Sequence, residues 1–198
     1  MYFGGVMKNL YKQYSYNVIR DILNQFAISI FGALLSMATS AAESNTLSIV
    51  VSIFAILFYL FLVYTTTWEI GAKDRVSVDV GKKPYRPHTG LVISAIANIP
   101  KLIVAVMFVV VVYLVPNGEL ATKLEVVVRL AYMMLGGMYT GLMMSVKISA
   151  SGATMISAWW AYFAFIIPAL LVSWLAYFAG FKNFRFVAPL FDKKNTKK

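Results

Sequence analysis

The sequence predicts an all-α fold: a polytopic integral membrane helical bundle with about four crossings, an extra re-entrant or fifth membrane helix, and an N-terminal interfacial helix. Three observations carry that reading. The chain is 60% hydrophobic and only 13% charged, whereas a soluble domain has about 45–50% apolar and about 25% charged residues. Its mean hydropathy is +0.73. Its apolar residues are gathered into runs long enough to cross a bilayer, and its basic residues lie in the segments between and after them. Such an excess needs an apolar solvent, not merely a larger core.

The net charge of +10 would suggest nucleic acid in a soluble protein. Here the basic residues flank apolar runs, as in cytoplasmic loops of membrane proteins, and no basic-aromatic stacking module is present. The expected partners are the lipid bilayer, anionic inner-leaflet lipids through 67–90 and 181–198, and other membrane subunits; nucleic acid is not among them. The chain has no Cys, which excludes disulfides, thiolate metal sites and Cys nucleophiles.

Residues 1–25 place Val6, Leu10, Tyr14, Val18 and Ile22 at helical spacing among Lys8, Lys12, Arg20 and Asp21. This pattern predicts an amphipathic helix lying in the interface. A first span is expected over 26–42. Its small residues Ser29, Ala33, Ser36 and Ser40 share one stripe, along which another helix approaches closely. A cleaved signal peptide competes for this region, but the charged leader is too long for one. The second span is expected over 47–66, followed by aromatic Tyr64 and Trp68 at the interface. Only a short polar turn separates these spans, so they are antiparallel neighbours.

Residues 67–90 are expected to form a basic cytoplasmic loop. Within it, Val76–Val80 alternates like a short strand, and Gly81, Pro84, Pro87 and Gly90 break regular structure. The third span, 91–115, holds Asn98, Pro100 and Lys101 in its middle. Residues 126–147 are apolar but contain Arg129, Gly136, Gly137 and Gly141, and form either a re-entrant element bending at Gly136–Gly137 or a fifth span. The last span is expected over 154–178, kinked at Pro168, with Trp159, Trp160 and Trp174 toward its ends. A basic tail covers 181–198. If the amino-terminal segment, the 67–90 loop and the tail are all cytoplasmic, the crossings are even in number. Four crossings in the cell membrane, with both termini inside, satisfy that rule.

Ser94, Asn98 and Lys101 share one helical face. Pro100 donates no N–H and kinks the helix. An ionisable group in a span is costly and is read as functional, so Ser94, Asn98, Pro100 and Lys101, with Arg129, form the candidate polar intramembrane site. No acidic residue lies within an apolar run, so water, backbone or an anion is expected beside Lys101. In the competing reading, Lys101 snorkels to the inner headgroups and Arg129 to the outer ones. Ser29, Ala33, Ser36, Gly137 and Gly141 are expected to serve helix packing, Gly137 and Gly141 matching GxxxG.

No catalytic motif is present, and the lone His88 lies in a Pro-rich loop. Neither an enzyme activity nor a metal or cofactor is expected. The expected function is that of a non-catalytic subunit or accessory partner of a larger membrane complex. The alternative is an anion-selective small-solute transporter or channel built on the polar face around Lys101.

Overall fold

The computed structural model describes residues 2–41, 44–116, 118–149 and 152–184, with side chains described from Tyr14 onward. The basic tail from 185 and the side chains of Lys8 and Lys12 lie outside the described residues.

Helix α1 runs unbroken over Tyr2–Ala41, so the expected division at residue 25 does not form. No Pro interrupts the segment, and Tyr14–Ala41 is by itself long and apolar enough to cross. Its buried face explains the continuity. Tyr14, Val18, Asp21, Gln25, Ser29, Ser36 and Thr39 are all buried and make one stripe at helical spacing. Asp21 and Gln25 therefore point into the bundle, not toward a membrane surface.

Helix α2, Asn45–Asp79, starts at Ser44, whose Oγ accepts the Leu47 N–H at 3.3 Å. Such an N-cap satisfies an otherwise unpaired donor. Its 35 residues are about 52 Å long, well beyond a bilayer core of about 30 Å. The helix takes up the first half of the expected 67–90 loop, including the stretch expected to be a strand. Ion pairs one turn apart, Glu69–Lys73 and Arg75–Asp79, support this polar extension. It ends at Asp79, and Gly81 two residues on has a φ of 71°, a conformation that favours glycine.

The segment expected as one long span is two helices, α3 (Thr89–Ala97) and α4 (Ile99–Leu114), bent by 51° at Asn98. Helix α5 (Glu119–Gly136) passes through a 3₁₀ turn over Gly137–Tyr139 into the short α6 (Thr140–Ser145). A hairpin follows, in which Lys147 bridges Thr154. Helices α7 (Trp159–Ala164) and α8 (Ile167–Phe181) complete the chain, Pro168 sitting in the first turn of α8. Four stretches are long and apolar enough to cross a membrane, and the bent α3–α4 pair passes the same criterion. The protein is a multi-pass helical membrane protein.

Contacts fix the directions of these elements. Helices α1 and α2 are antiparallel: Tyr14 meets Asp74 and Asp21 meets Thr66. Helices α2 and α8 advance together, because Thr67 meets Ser173 and Gly71 abuts Tyr177. Helix α3 starts beside Ser173 and Tyr177, where Gly90 packs, and Lys101 of α4 reaches Tyr59, so this pair climbs toward the α1–α2 turn. Helix α6 ends at that turn, where Met144 and Ser145 share a cavity with Ser40, Ser44 and Ser48. A straight helix would separate Arg129 from Ser145 by about 24 Å. Instead Arg129 bonds the Ile156 carbonyl, next to Met155, whose N–H bonds Val146. The chain therefore turns at Gly136–Tyr139, within the Glu119–Ser145 stretch that is itself long and apolar enough to cross.

Glycines make the close contacts possible. A Cβ on Gly137 would strike the Ser29 carbonyl and lie 3.0 Å from the Ala33 side chain. One on Gly180 would lie 2.9 Å from the Trp68 backbone. Gly137→Val is accordingly expected to destabilise the protein by about 1–3 kcal/mol through overpacking, seen as a lower unfolding midpoint in detergent. Gly118→Ala, with nothing within 4 Å, should leave the midpoint in place.

Candidate functional site

Lys101 lies one turn after the α3–α4 break and is fully buried, with 0% exposure. Its Nζ has no hydrogen-bond partner among the described residues. The ammonium instead sits 5.2 Å from the Tyr139 ring centroid and 5.6 Å from that of Tyr59. Aromatic faces at that range attract a cation, but supply no acceptor for its three donors. A simple interfacial anchor would keep its head group in water; this one does not.

The break is built from Asn98 and Pro100. Asn98 ends α3 and begins α4, and its Nδ2 donates to the Ser94 carbonyl at 2.8 Å and faces Ser94 Oγ at 3.4 Å. Pro100 lies in the first turn of α4, where its missing N–H costs nothing. Ser94, Asn98 and Lys101 are all buried on one face, and the Asn98 Oδ1 has no hydrogen-bond partner among the described residues. The positive end of the α4 dipole and a Lys thus meet at one place in the bundle.

Opposite lies the second break, between α5 and α6. Tyr139 comes from its 3₁₀ turn and stacks on Phe165 at 4.5 Å. Gln25 of α1 donates to the Leu135 carbonyl at 2.8 Å, fixing the end of α5. The Gln25 Oε1 and the Tyr132 and Tyr139 hydroxyls are buried without hydrogen-bond partners among the described residues. Buried polar atoms are normally paired. Five such atoms, from Lys101, Asn98, Gln25, Tyr132 and Tyr139, lie on the elements that flank the two helix breaks.

On the side of the basic loop, Thr66 donates to Asp21 at 3.0 Å. A buried acidic residue on the first span therefore corrects the expectation that none lies within the crossings. Below it, Thr67 meets Ser173 at 3.2 Å, and Ser173 bonds the Gly90 carbonyl at 2.7 Å. The layer ends at Asp74, which accepts from Tyr14 at 2.5 Å and Tyr177 at 3.1 Å and pairs with Lys83 at 3.2 Å. On the other side, Ser36, Ser48 and Ser52 are buried and lead to the hydroxyl-lined cavity at the α1–α2 turn.

Arg129 is engaged elsewhere. It pairs with Glu125, bonds the Ile156 carbonyl and lies 5.3 Å from the Phe108 ring. The small residues meet inside the chain: Ser29 and Ala33 against Gly137, and Gly141 against Ser48 and Ser52. Sequence reasoning missed Asp21, Gln25, Tyr59 and Tyr139. A signal existed for the first two, which continue the α1 stripe, and for Tyr59, which follows Ser48, Ser52 and Ala55 at helical spacing on α2. Tyr139 carried none, because its place depends on how the 3₁₀ turn folds against α4.

Among the described residues, no group of three His, Asp or Glu side chains is placed to hold a metal ion. Comparisons with known protein families, with curated proteins and with solved structures find no match.

Proposed function

We propose that this protein is a non-catalytic carrier or channel for a small anion, with Lys101 as the group that attracts the solute at mid-bundle. The observation that supports this most is the fully buried Lys101 Nζ with no hydrogen-bond partner among the described residues. A charge in that position is expensive, and nothing in the packing requires it. Two further features agree. Helices broken at mid-membrane, with a positive helix end at the break, are the arrangement by which secondary transporters receive anionic groups. Irregular backbone at that depth is tolerated where it is buried in protein or lines a polar cavity.

The rival, a subunit of a larger complex, loses one of its supports. The small-residue stripes that could have received a partner helix are occupied within the chain by Gly137 and Gly141. A panel of chloride, nitrate, formate and acetate tests the carrier reading. One of them should raise the unfolding midpoint of the detergent-solubilised protein by mass action, and Lys101→Met should abolish that shift. Equal shifts in both proteins would count against the reading.

Tyr14, Asp74, Lys83 and Tyr177 meet at one end of the bundle, and the neighbouring sequence is rich in Lys and Arg. We take this end as cytoplasmic, facing anionic lipid. A reporter enzyme fused after Lys198 should be active only inside the cell; external activity would reverse the assignment.

A further inference from the structure

We propose that the anion held at Lys101 carries its own O–H or N–H donor, as a hydroxycarboxylate or bicarbonate does, and that Asn98 and Gln25 accept from it. This rests on the carrier reading for the charge of the ligand, and adds what that ligand must donate. A bare anion such as chloride or nitrate meets the ammonium but leaves every acceptor at the site unpaired. Two acceptors there are fixed. The Asn98 Nδ2 donates to the Ser94 carbonyl at 2.8 Å, and the Gln25 Nε2 to the Leu135 carbonyl at 2.8 Å. A carbonyl oxygen only accepts, so each amide holds its nitrogen toward the backbone and turns its oxygen away. Asn98 Oδ1 and Gln25 Oε1 have no hydrogen-bond partner among the described residues, and the two residues are only 3% and 2% exposed.

The two oxygens stand at the two helix breaks. Asn98 lies one turn before Lys101 and shares its buried face. Gln25 reaches the end of α5 at the Leu135 carbonyl, and a Cβ on the next residue, Gly136, would lie 3.3 Å from the Tyr132 hydroxyl. Three residues further on, the Tyr139 ring centroid is 5.2 Å from Lys101 Nζ. Tyr59, Tyr132 and Tyr139 pack in one cluster. The Tyr132 and Tyr139 hydroxyls, also without hydrogen-bond partners among the described residues, can each donate or accept. The set thus holds one cation, two acceptors of fixed direction and two hydroxyls free to take either role. Its complement is a small oxyanion with at least one donor of its own. A site built to bond a substrate hydroxyl rejects the analogue lacking it, because buried polar groups are then left unpaired.

Two pairs of similar anions test this on the intact chain in detergent: glycolate against acetate, and bicarbonate against nitrate. In each pair the first carries a hydroxyl and the second does not. Dissociation constants follow from the unfolding midpoint as each anion is titrated. In at least one pair the hydroxylated anion should bind at least about tenfold tighter than its partner, and Lys101→Met should abolish binding of all four. Gln25→Leu and Asn98→Leu, where folded, should remove most of that preference while leaving the anion without a hydroxyl little affected. Equal affinities within both pairs, lost in Lys101→Met, would overturn the donor requirement and leave the carrier reading standing, with water serving the two oxygens. A preference retained in both folded leucine variants would overturn the assignment of Asn98 and Gln25 as its acceptors. If no anion shifts the midpoint, or all shift it equally with and without Lys101, the donor requirement and the carrier reading fall together.

Discussion

Lys101→Met is expected to stabilise the protein while removing its function. The Nζ is fully buried and has no hydrogen-bond partner among the described residues, so folding removes its hydration and returns only two aromatic faces. A buried polar group left unsatisfied costs about 1–3 kcal/mol, and a charged one costs more. Met has nearly the same length and volume and no polar demand, so the substitution should recover about 1–3 kcal/mol, read as a higher unfolding midpoint in detergent. A residue whose removal improves the fold is present for another reason, since natural proteins trade stability for a working site. Lys101→Arg should keep the charge yet crowd the space between Tyr59 and Tyr139, lowering the midpoint. If Lys101→Met instead unfolds the protein, the Lys is a packing element and the functional reading loses its basis.

Asp74→Asn should do the reverse: a marked loss of stability with the interior site untouched. The Asp74 carboxylate is buried and joins four parts of the chain: α1 through Tyr14, its own α2, α8 through Tyr177, and the loop through Lys83. Hydrogen bonds to a charged group contribute about 1.5–3 kcal/mol each, and removing one partner of a buried pair is strongly destabilising. A loss of about 2–4 kcal/mol is expected, because the amide retains one acceptor and Lys83 is partly exposed. Tyr14→Phe, which removes one of the three contacts, should cost about 1–2 kcal/mol. Equal unfolding midpoints for Asp74→Asn and the unmodified protein would show that this end of the bundle is held by apolar packing alone.

Much of the architecture was legible because hydropathy and turn residues act locally. The break at Gly136–Gly137 within 126–147 was legible from the paired glycines, and the structure passes there from α5 through a 3₁₀ turn into α6. Pro100 marked the break at Asn98. What misled was the assumption that charged residues end a membrane helix. Lys73, Arg75 and Asp79 continue α2 as an extension supported by ion pairs one turn apart, because a helix outside the bilayer needs no apolar face. Asp21 was read as interfacial for the same reason, although its spacing from Gln25 and Ser29 placed it on the buried stripe. The Lys101 surroundings were legible only in part. Ser94 and Asn98 follow from helical spacing, whereas the aromatic faces come from α2 and from the turn after α5, and no local pattern brings those together.

Ion flux through purified protein in liposomes tests the central claim most directly. Vesicles carrying the unmodified protein should dissipate an imposed gradient of at least one small anion faster than empty vesicles, and Lys101→Met vesicles, with equal protein content, should match the empty ones. Equal flux through both proteins, at a rate above empty vesicles, would contradict the assignment of Lys101 as the group that draws the anion into the bundle.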